Sequence, residues 1–230
     1  MDAPLDDSVL DALRQLDTPT VCNALEVVAP ERRGHGYTTQ PFFAPRPELA
    51  PIVGWARTAT IRSSTPPNAD PSELTRLRVA YYEHIGAGPQ PSITVIEDVD
   101  PHPGHGAWWG EVNTSVHQGL GSLGVITNGS IRDLPDSAEG FQLLAGMPCP
   151  SHAWVRVDGF GDPVTVHGMR VETGDLVHAD QHGAVVVPVD VAAEIPDAAA
   201  AIAEREQVLI SASRKPGFSA EDIAAILGAG

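Results

Sequence analysis

The sequence predicts an α/β fold, and three observations carry that prediction. Two strand–helix steps in succession return to short buried apolar runs, Ser92–Glu97 and Gly124–Thr127, which is the pattern of βαβ units. Residues 148–188 then change to short alternating runs punctuated by Gly159, Gly161, Gly168, Gly174 and Gly183, the signature of β-hairpins. Helical spacing brackets both ends, at about 7–28 and about 190–228. These flanking helices are expected to pack as appendages on a single domain spanning 1–230.

Taken in order, Val9, Leu10, Leu13 and Leu16 fall at helical spacing behind Asp6 and Asp7. Thr18-Pro19 has the form of an N-cap with proline at the first helical position, opening a helix over Thr20–Val28. Residues 30–51 read as loop. Ile52–Ile61 alternates and is rich in β-formers, so a strand is expected. Asp70-Pro71-Ser72-Glu73 has capping-box form and starts a helix to about Ile85. After the strand Ser92–Glu97 comes a glycine-rich loop, Asp98–Glu111, leading into a helix from Val112 to about Leu120. Strands are then expected at Ala153–Val157, Pro163–Val166, Met169–Val171, Leu176–Ala179 and Ala184–Val187. An Ala-rich helix, Asp190 to about Arg214, carries a possible break at Pro196, and Ser219-Ala-Glu-Asp222 caps a last helix, Ile223–Leu227.

The bulk numbers exclude several functions. The chain has 230 residues, 42% apolar and 19% charged, enough for a sizeable core. The formal charge is −16, from 14 Lys+Arg against 30 Asp+Glu. Nucleic acid is therefore not an expected partner, because a binder needs clustered positive charge. No apolar run approaches the roughly 20 residues of a membrane helix, so no membrane association is expected. The acidic Met1–Asp7 stretch lacks a signal peptide's layout. Two widely spaced cysteines, Cys22 and Cys149, suggest a reducing, cytoplasmic setting. Positive charge comes almost wholly from arginine, since Lys215 is the sole lysine, and arginine suits bidentate carboxylate recognition.

The chemistry concentrates at Gly124-Val-Ile-Thr-Asn-Gly-Ser-Ile-Arg-Asp-Leu-Pro-Asp136. The strand breaks at Asn128-Gly129 and delivers Arg132 and Asp133 just past its carboxyl end, where α/β proteins bind ligands. Two readings stand: a surface ion pair of small consequence, or Asp133 holding a metal while Arg132 holds a substrate carboxylate. Glu111 follows Gly110 at a helix start. If 92–97 and 124–127 are parallel neighbours, Glu111 and Arg132-Asp133 converge on one crevice. Oxygen ligands with open water positions suit Mg²⁺ or Mn²⁺. Gly119-Leu-Gly-Ser-Leu-Gly124 matches a dinucleotide fingerprint but closes a helix and opens a strand, the reverse of what that site needs. His178-Ala-Asp-Gln-His182 looks metal-like by composition, yet sits at turn pairs and reads as hydrogen-bonding. His102 and His105 in the glycine-rich loop read the same way.

Gly110-Glu111, twenty residues, Arg132-Asp133, two residues and Asp136 resemble the active-site signature of the RraA-like superfamily. That superfamily includes the class II 4-hydroxy-4-methyl-2-oxoglutarate aldolases, which are also oxaloacetate decarboxylases. Leu16–Leu25, Gly124–Asp133 and Gly174–Pro188 resemble its further motifs. The resemblance implies a swivelling β/β/α fold with mixed sheets and flanking helices, assembled as a homotrimer or a dimer of trimers. It implies a metal-dependent lyase acting on a small 2-keto acid through a metal-stabilised pyruvate enolate. Asp133 would bind the divalent metal directly and Glu111 through water, with Asp136 a further candidate ligand. Arg132 would bind the carboxylate and C2 oxygen, and the Gly110 segment with the N–H groups of Val112 and Asn113 would hold the substrate. The same resemblance admits a ribonuclease-inhibiting binding module, or another metal-enolate reaction such as keto–enol tautomerisation. Asn23, where members often carry Asp, and Asn113, where characterised aldolases often carry an apolar residue, depart from the pattern.

Overall fold

The alternating run at Ile52 becomes the longest strand, β1 (Ile52–Arg62), and the main sheet grows outward from it. The computed structural model describes residues 5–228, so Met1–Pro4 of the acidic N-terminal stretch lie outside the described residues. Before β1 stand α1 (Asp7–Leu13) and α2 (Thr18–Val28). After it come α3 (Pro71–Gly86), β2 (Ser92–Asp98), β3 (Ala107–Trp109), α4 (Glu111–Gly119), β4 (Ser122–Thr127), β5 (Ser130–Ile131), β6 (Gln142–Leu144) and β7 (Met147–Pro148). The remainder is β8 (Arg156–Phe160), β9 (Val164–Val166), β10 (Met169–Val171), β11 (Leu176–Asp180), β12 (Gly183–Val187), α5 (Ile195–Ser213) and α6 (Ala220–Leu227).

The main sheet runs β12-β11-β1-β2-β4-β6 and is mixed. β1–β2, β2–β4 and β4–β6 are parallel, whereas β11 and β12 are antiparallel additions. One edge of β1 is shared: its first residues pair with β11 and its last with β8. β3, β5 and β7 form a second, smaller parallel sheet. β9 and β10 form a hairpin whose turn residues, His167 and Gly168, both have positive φ, the backbone that a two-residue hairpin turn needs.

The apolar residues divide into three cores. Val53 and Trp55 of β1 face α1, α2 and α5. Ile52 and Ala56, on the alternate face, meet Ile93, Val95, Val166 and Val177. Further along, Ala59 and Ile61 join Tyr81, Ile85, Trp109 and Phe141 beneath α3 and α4. An alternating strand can feed a core on each face in this way.

Several expectations need correction in detail. Asp17, not Thr18, caps α2, accepting from the Thr20 N–H at 2.8 Å. Asp70 caps α3, but only its own half of the box forms, whereas Ser219 and Asp222 close theirs. Pro196 sits in the first turn of α5, where its missing N–H costs nothing, so the helix is not broken there. The expected strand at Ala153–Val157 is displaced to Arg156–Phe160, because Ala153 adopts a positive φ of 47° and turns the chain.

His117 predicts how this core responds to acid. It is fully buried, with Nδ1 2.6 Å from the Asn113 carbonyl and Nε2 2.6 Å from the Tyr81 hydroxyl. A carbonyl only accepts, so Nδ1 carries the proton and Nε2 accepts from Tyr81. Burial pushes this imidazole down to about 4, against the Asn113 carbonyl and with help from Arg78. Burial lowers His178 as well. A depressed folded value means the unfolded chain binds the proton first. Stability is therefore whole above about pH 6.5 and is lost as pH falls toward about 4, by up to roughly 3 kcal/mol for His117. Denaturant midpoints measured between pH 7 and pH 4 should fall across that window. His117→Gln should start lower and flatten the slope. An unchanged slope would place the acid sensitivity elsewhere.

Candidate active site at the carboxyl ends of the parallel strands

The parallel pairing of β2 with β4 brings their carboxyl ends together, and side chains then lock the two following loops. Asn128 is the clasp. Its Oδ1 accepts from the Asp98 N–H at 2.7 Å, and its Nδ2 donates to the Asp98 carbonyl at 3.0 Å. The Asp98 carboxylate accepts from the Gly104 N–H at 2.8 Å and the Asp100 N–H at 3.1 Å, shaping the glycine-rich loop from inside. Burial pushes the Asp98 carboxyl up, against those two hydrogen bonds. Asp100 takes the N–H groups of Ser63 and Ser64, at 2.6 and 2.7 Å, so the loop is also tied to the end of β1. Neither carboxylate was legible as a site residue in the sequence. Their signal is an Asp-x-Asp directly after a strand and an Asn-Gly after its neighbour.

The small sheet then sets the register of the candidate site residues. The Arg132 N–H donates to the Trp109 carbonyl at 2.8 Å, so Gly110-Glu111 and Arg132-Asp133 leave β3 and β5 side by side. A Cβ built on Gly110 would stand 2.5 Å from Asp133 Oδ2 and 3.2 Å from Arg132 Cγ. The Asp133 carboxylate thus occupies the space that a side chain at Gly110 would fill. Asp133 itself has a φ of 51°, a left-handed backbone that Asp tolerates better than most residues. Such outliers concentrate at functional sites.

Arg132 Nη2 lies 3.5 Å from Asp133 Oδ2, and the two side chains are 30% and 34% exposed. Both are therefore open to a ligand. The turn after them is braced from behind: Arg46, from the long loop before β1, donates to the Ala138 and Ser137 carbonyls at 2.6 and 2.7 Å. Thr114 Oγ1 accepts from the Ala138 N–H at 2.9 Å and donates to the Gly110 carbonyl, joining this turn to α4.

The start of α4 completes the crevice. Gly110 offers no side-chain cap. The first intrahelical bond is Thr114 N–H to the Gly110 carbonyl, so the N–H groups of Glu111, Val112 and Asn113 have no partner among the described residues. An uncapped helix N-terminus with free N–H groups attracts anions. Glu111 and Val112 are exposed. The Asn113 side chain turns away, donating to the Trp108 carbonyl and accepting from Tyr82 at 2.8 Å. Only its backbone faces the crevice.

The donor set fits one class of metal. Among the described residues no three His, Cys, Asp or Glu side chains converge as a metal group, so Glu111, Asp133 and Asp136 do not form a three-carboxylate cage. Asp136 is exposed, and its N–H closes a turn onto the Asp133 carbonyl at 3.0 Å. One or two carboxylates with several waters is how Mg²⁺ binds, whereas zinc needs a fuller nitrogen or sulfur set. Asp133, with Glu111 across the crevice, matches the first pattern.

The other motifs serve the fold. Gly119 ends α4 and Gly121, with a φ of 92°, turns the chain into β4. His178 Nε2 reaches the Leu13 and Leu16 carbonyls, its Nδ1 meets Thr18 Oγ1 at 3.0 Å, and Asp180 accepts from the Thr18 N–H at 2.9 Å. The pair therefore fastens the α1–α2 junction. His102 and His105 are exposed.

A family model described as RraA-like, Aldolase/RraA, matches residues 12–186. No curated protein matches the chain. Among solved structures, an uncharacterized protein from Pseudomonas syringae pv. tomato str. DC3000 superposes with a TM-score of 0.70 at 24% identity, covering 96% of this chain and 95% of that one. RraAS2 from Streptomyces coelicolor, described as an unusual member of the RNase ES inhibitor RraA protein family, gives 0.67 at 23% identity over 91% and 98%. The RNA-processing inhibitor RraA from Thermus thermophilis gives 0.52 at 19% identity over 71% and 90%. At these identities the likeness is one of fold. Among the described residues no helix is long and apolar enough to cross a membrane.

Proposed function

Because this chain belongs to the RraA-like family, we propose that it is a divalent-metal-dependent carbon–carbon lyase acting on a pyruvate-derived 2-keto acid. The family includes both aldolase/decarboxylase members and ribonuclease inhibitors, so the site must carry the choice. The observation that carries it is the seating of the Asp133 carboxylate against bare Gly110, with Arg132 beside it and the free N-terminus of α4 opposite. A pure binding surface needs none of that arrangement.

Arg132 and the N–H groups of Val112 and Asn113 bind the substrate carboxylate. Asp133, with Glu111 through water, would hold Mg²⁺ or Mn²⁺, which supplies Lewis acidity for the keto oxygen. In the retro-aldol direction a base takes the C4 hydroxyl proton, and C4 leaves as the carbonyl carbon of the second product as the C3–C4 bond breaks. The electron pair stays on the pyruvate fragment, spread over C3 and the C2 oxygen until C3 takes up a proton. Arg132 neutralises the charge arriving on that oxygen without moving, which is the economical form of transition-state stabilisation. Loss of CO₂ from oxaloacetate yields the same fragment, so aldolase and decarboxylase activities belong to one site.

The test is pyruvate release from 4-hydroxy-4-methyl-2-oxoglutarate and from oxaloacetate, with Mg²⁺ or Mn²⁺ and again with EDTA. Turnover should depend on metal and vanish on chelation. No metal-dependent turnover of either, with inhibition of ribonuclease E by the same protein, would replace the lyase by the binding module. Gly110→Ala supplies a local check. Gly110 has an extended φ of −172°, which any residue adopts, so the variant should fold. Its methyl would displace Asp133 by about 1 Å, a shift that costs on the order of 10² in kcat/KM. Full activity in Gly110→Ala would put the chemistry away from Asp133.

A further inference from the structure

A second cleft lies beside β3, on the face that carries Trp108. Successive strand residues face opposite ways: Trp109 packs on His117 and Phe141, with ring centroids 4.5 and 5.9 Å away, whereas Trp108 packs edge-on to Tyr81 and beneath Arg78. Trp108, Leu74, Val155 and the exposed Trp154 wall a cleft of about 300 Å³, with Arg78 and Arg156 at its margin. None of Gly110, Glu111, Arg132 or Asp133 lines it.

Its charge is the opposite of the molecule's. The chain carries −16 overall, yet no lining side chain is acidic and two are arginines. Neither Arg78 nor Arg156 forms an ion pair among the described residues, although five other arginines do. Arg78 lies with its guanidinium carbon 5.3 Å from the Trp108 ring centre and 5.7 Å from that of Tyr82. Arg156 spends Nη1 on the Thr65 and Trp154 carbonyls, at 2.6 and 3.2 Å. Two cations without counter-ions, set in an aromatic wall, are a receptor for an anion with a flat body.

The backbone at the rim is strained to hold this shape. Ala153 has a φ of 47°, without the side-chain chemistry that lets Asp or Asn tolerate it. Its N–H is tied to Ser151 Oγ at 3.0 Å, and the Trp154 N–H to the Ser63 carbonyl at 3.1 Å. The strained residue is the one that sets Trp154 out over the cleft, and strain of this kind collects at ligand clamps.

We propose that this cleft binds a small carboxylate with an aromatic or flat apolar body, at a site separate from the crevice at Arg132–Asp133. The body lies on the exposed Trp154 against the apolar wall of Leu74, Val155 and the small part of Trp108 that Arg78 leaves open, and the carboxylate meets Arg78 and Arg156. The proposal does not rest on the lyase reading.

Benzoate is the probe and fluorine NMR of the full chain labelled with 5-fluorotryptophan is the readout. Four tryptophans give four resonances, assigned by single Trp→Phe variants. Benzoate should shift Trp154 and Trp108 saturably, with a Kd on the order of 1 mM or tighter, and leave Trp55 and Trp109 in place. Arg78→Gln should weaken binding about tenfold, as loss of a charged hydrogen bond does, and benzyl alcohol should bind far less well. Absence of a saturable shift, or equal response to benzyl alcohol, overturns the proposal. So does a Trp154 resonance that follows protein concentration and ignores benzoate, since a second copy of the chain would then fill the cleft.

Discussion

Asp133→Asn is expected to abolish metal-dependent pyruvate release, lowering kcat/KM by about 10³ or more, while leaving the fold intact. Asparagine is the informative substitution because of the backbone. With a φ of 51°, alanine at 133 would add left-handed strain of roughly 1–2 kcal/mol and confuse lost chemistry with lost shape. Asparagine accepts that conformation, has the same size, and removes only the charge. The N–H groups of Asp136 and Ser137 bond to the backbone carbonyl of residue 133, not to its carboxylate, so the turn survives. The checks are steady-state kinetics with Mg²⁺ and Mn²⁺, Mn²⁺ affinity by titration calorimetry, and an unchanged melting temperature. Wild-type Mn²⁺ affinity in the variant would remove Asp133 from the metal. Asp136→Asn decides whether that exposed carboxylate takes any share: a loss as large would put it in the metal's shell, and normal kinetics would confine it to its turn.

The convergence of Glu111 with Arg132-Asp133 was legible because it follows from topology. Two apolar strands with a helix between them are parallel neighbours in most arrangements, and their carboxyl ends then adjoin. The devices that make the convergence rigid were not legible. β3, β5 and β7 are two or three residues long, too short for alternation to register, and they pair only because longer strands have already fixed their neighbours. Asn128-Gly129 read as a turn, which it is. That its side chain also clasps Asp98 depends on a partner thirty residues away. Arg46 lay in what looked like plain loop, and its grip on the 134–138 turn spans about ninety residues. The Ala153 misreading has the same origin. Its apolar neighbours, Trp154, Val155 and Val157, suggested a strand, but all three line the cleft and only Val157 also lies in a strand.

Arg132→Ala is expected to lower kcat/KM by about 10²–10³, the loss seen when one preorganised donor to a developing oxyanion is removed. What makes the number interpretable is that the backbone of residue 132 has its own task. Its N–H donates to the Trp109 carbonyl in every variant, so β3 and β5 stay in register and Gly110 stays beside Asp133. Truncation then removes a guanidinium that is 30% exposed and paired only loosely, at 3.5 Å, with Asp133. Such a pair contributes little to stability, and the melting temperature should hardly change. Arg132→Lys separates charge from shape. If the residue acts as a fork on a carboxylate and an adjacent oxygen, lysine keeps the charge but loses the paired geometry. Its kcat/KM should then lie much nearer to alanine than to wild type. Near-complete rescue by lysine would mean that a point charge suffices, and Arg132 would act through the general field of the crevice and not by holding the two substrate oxygens.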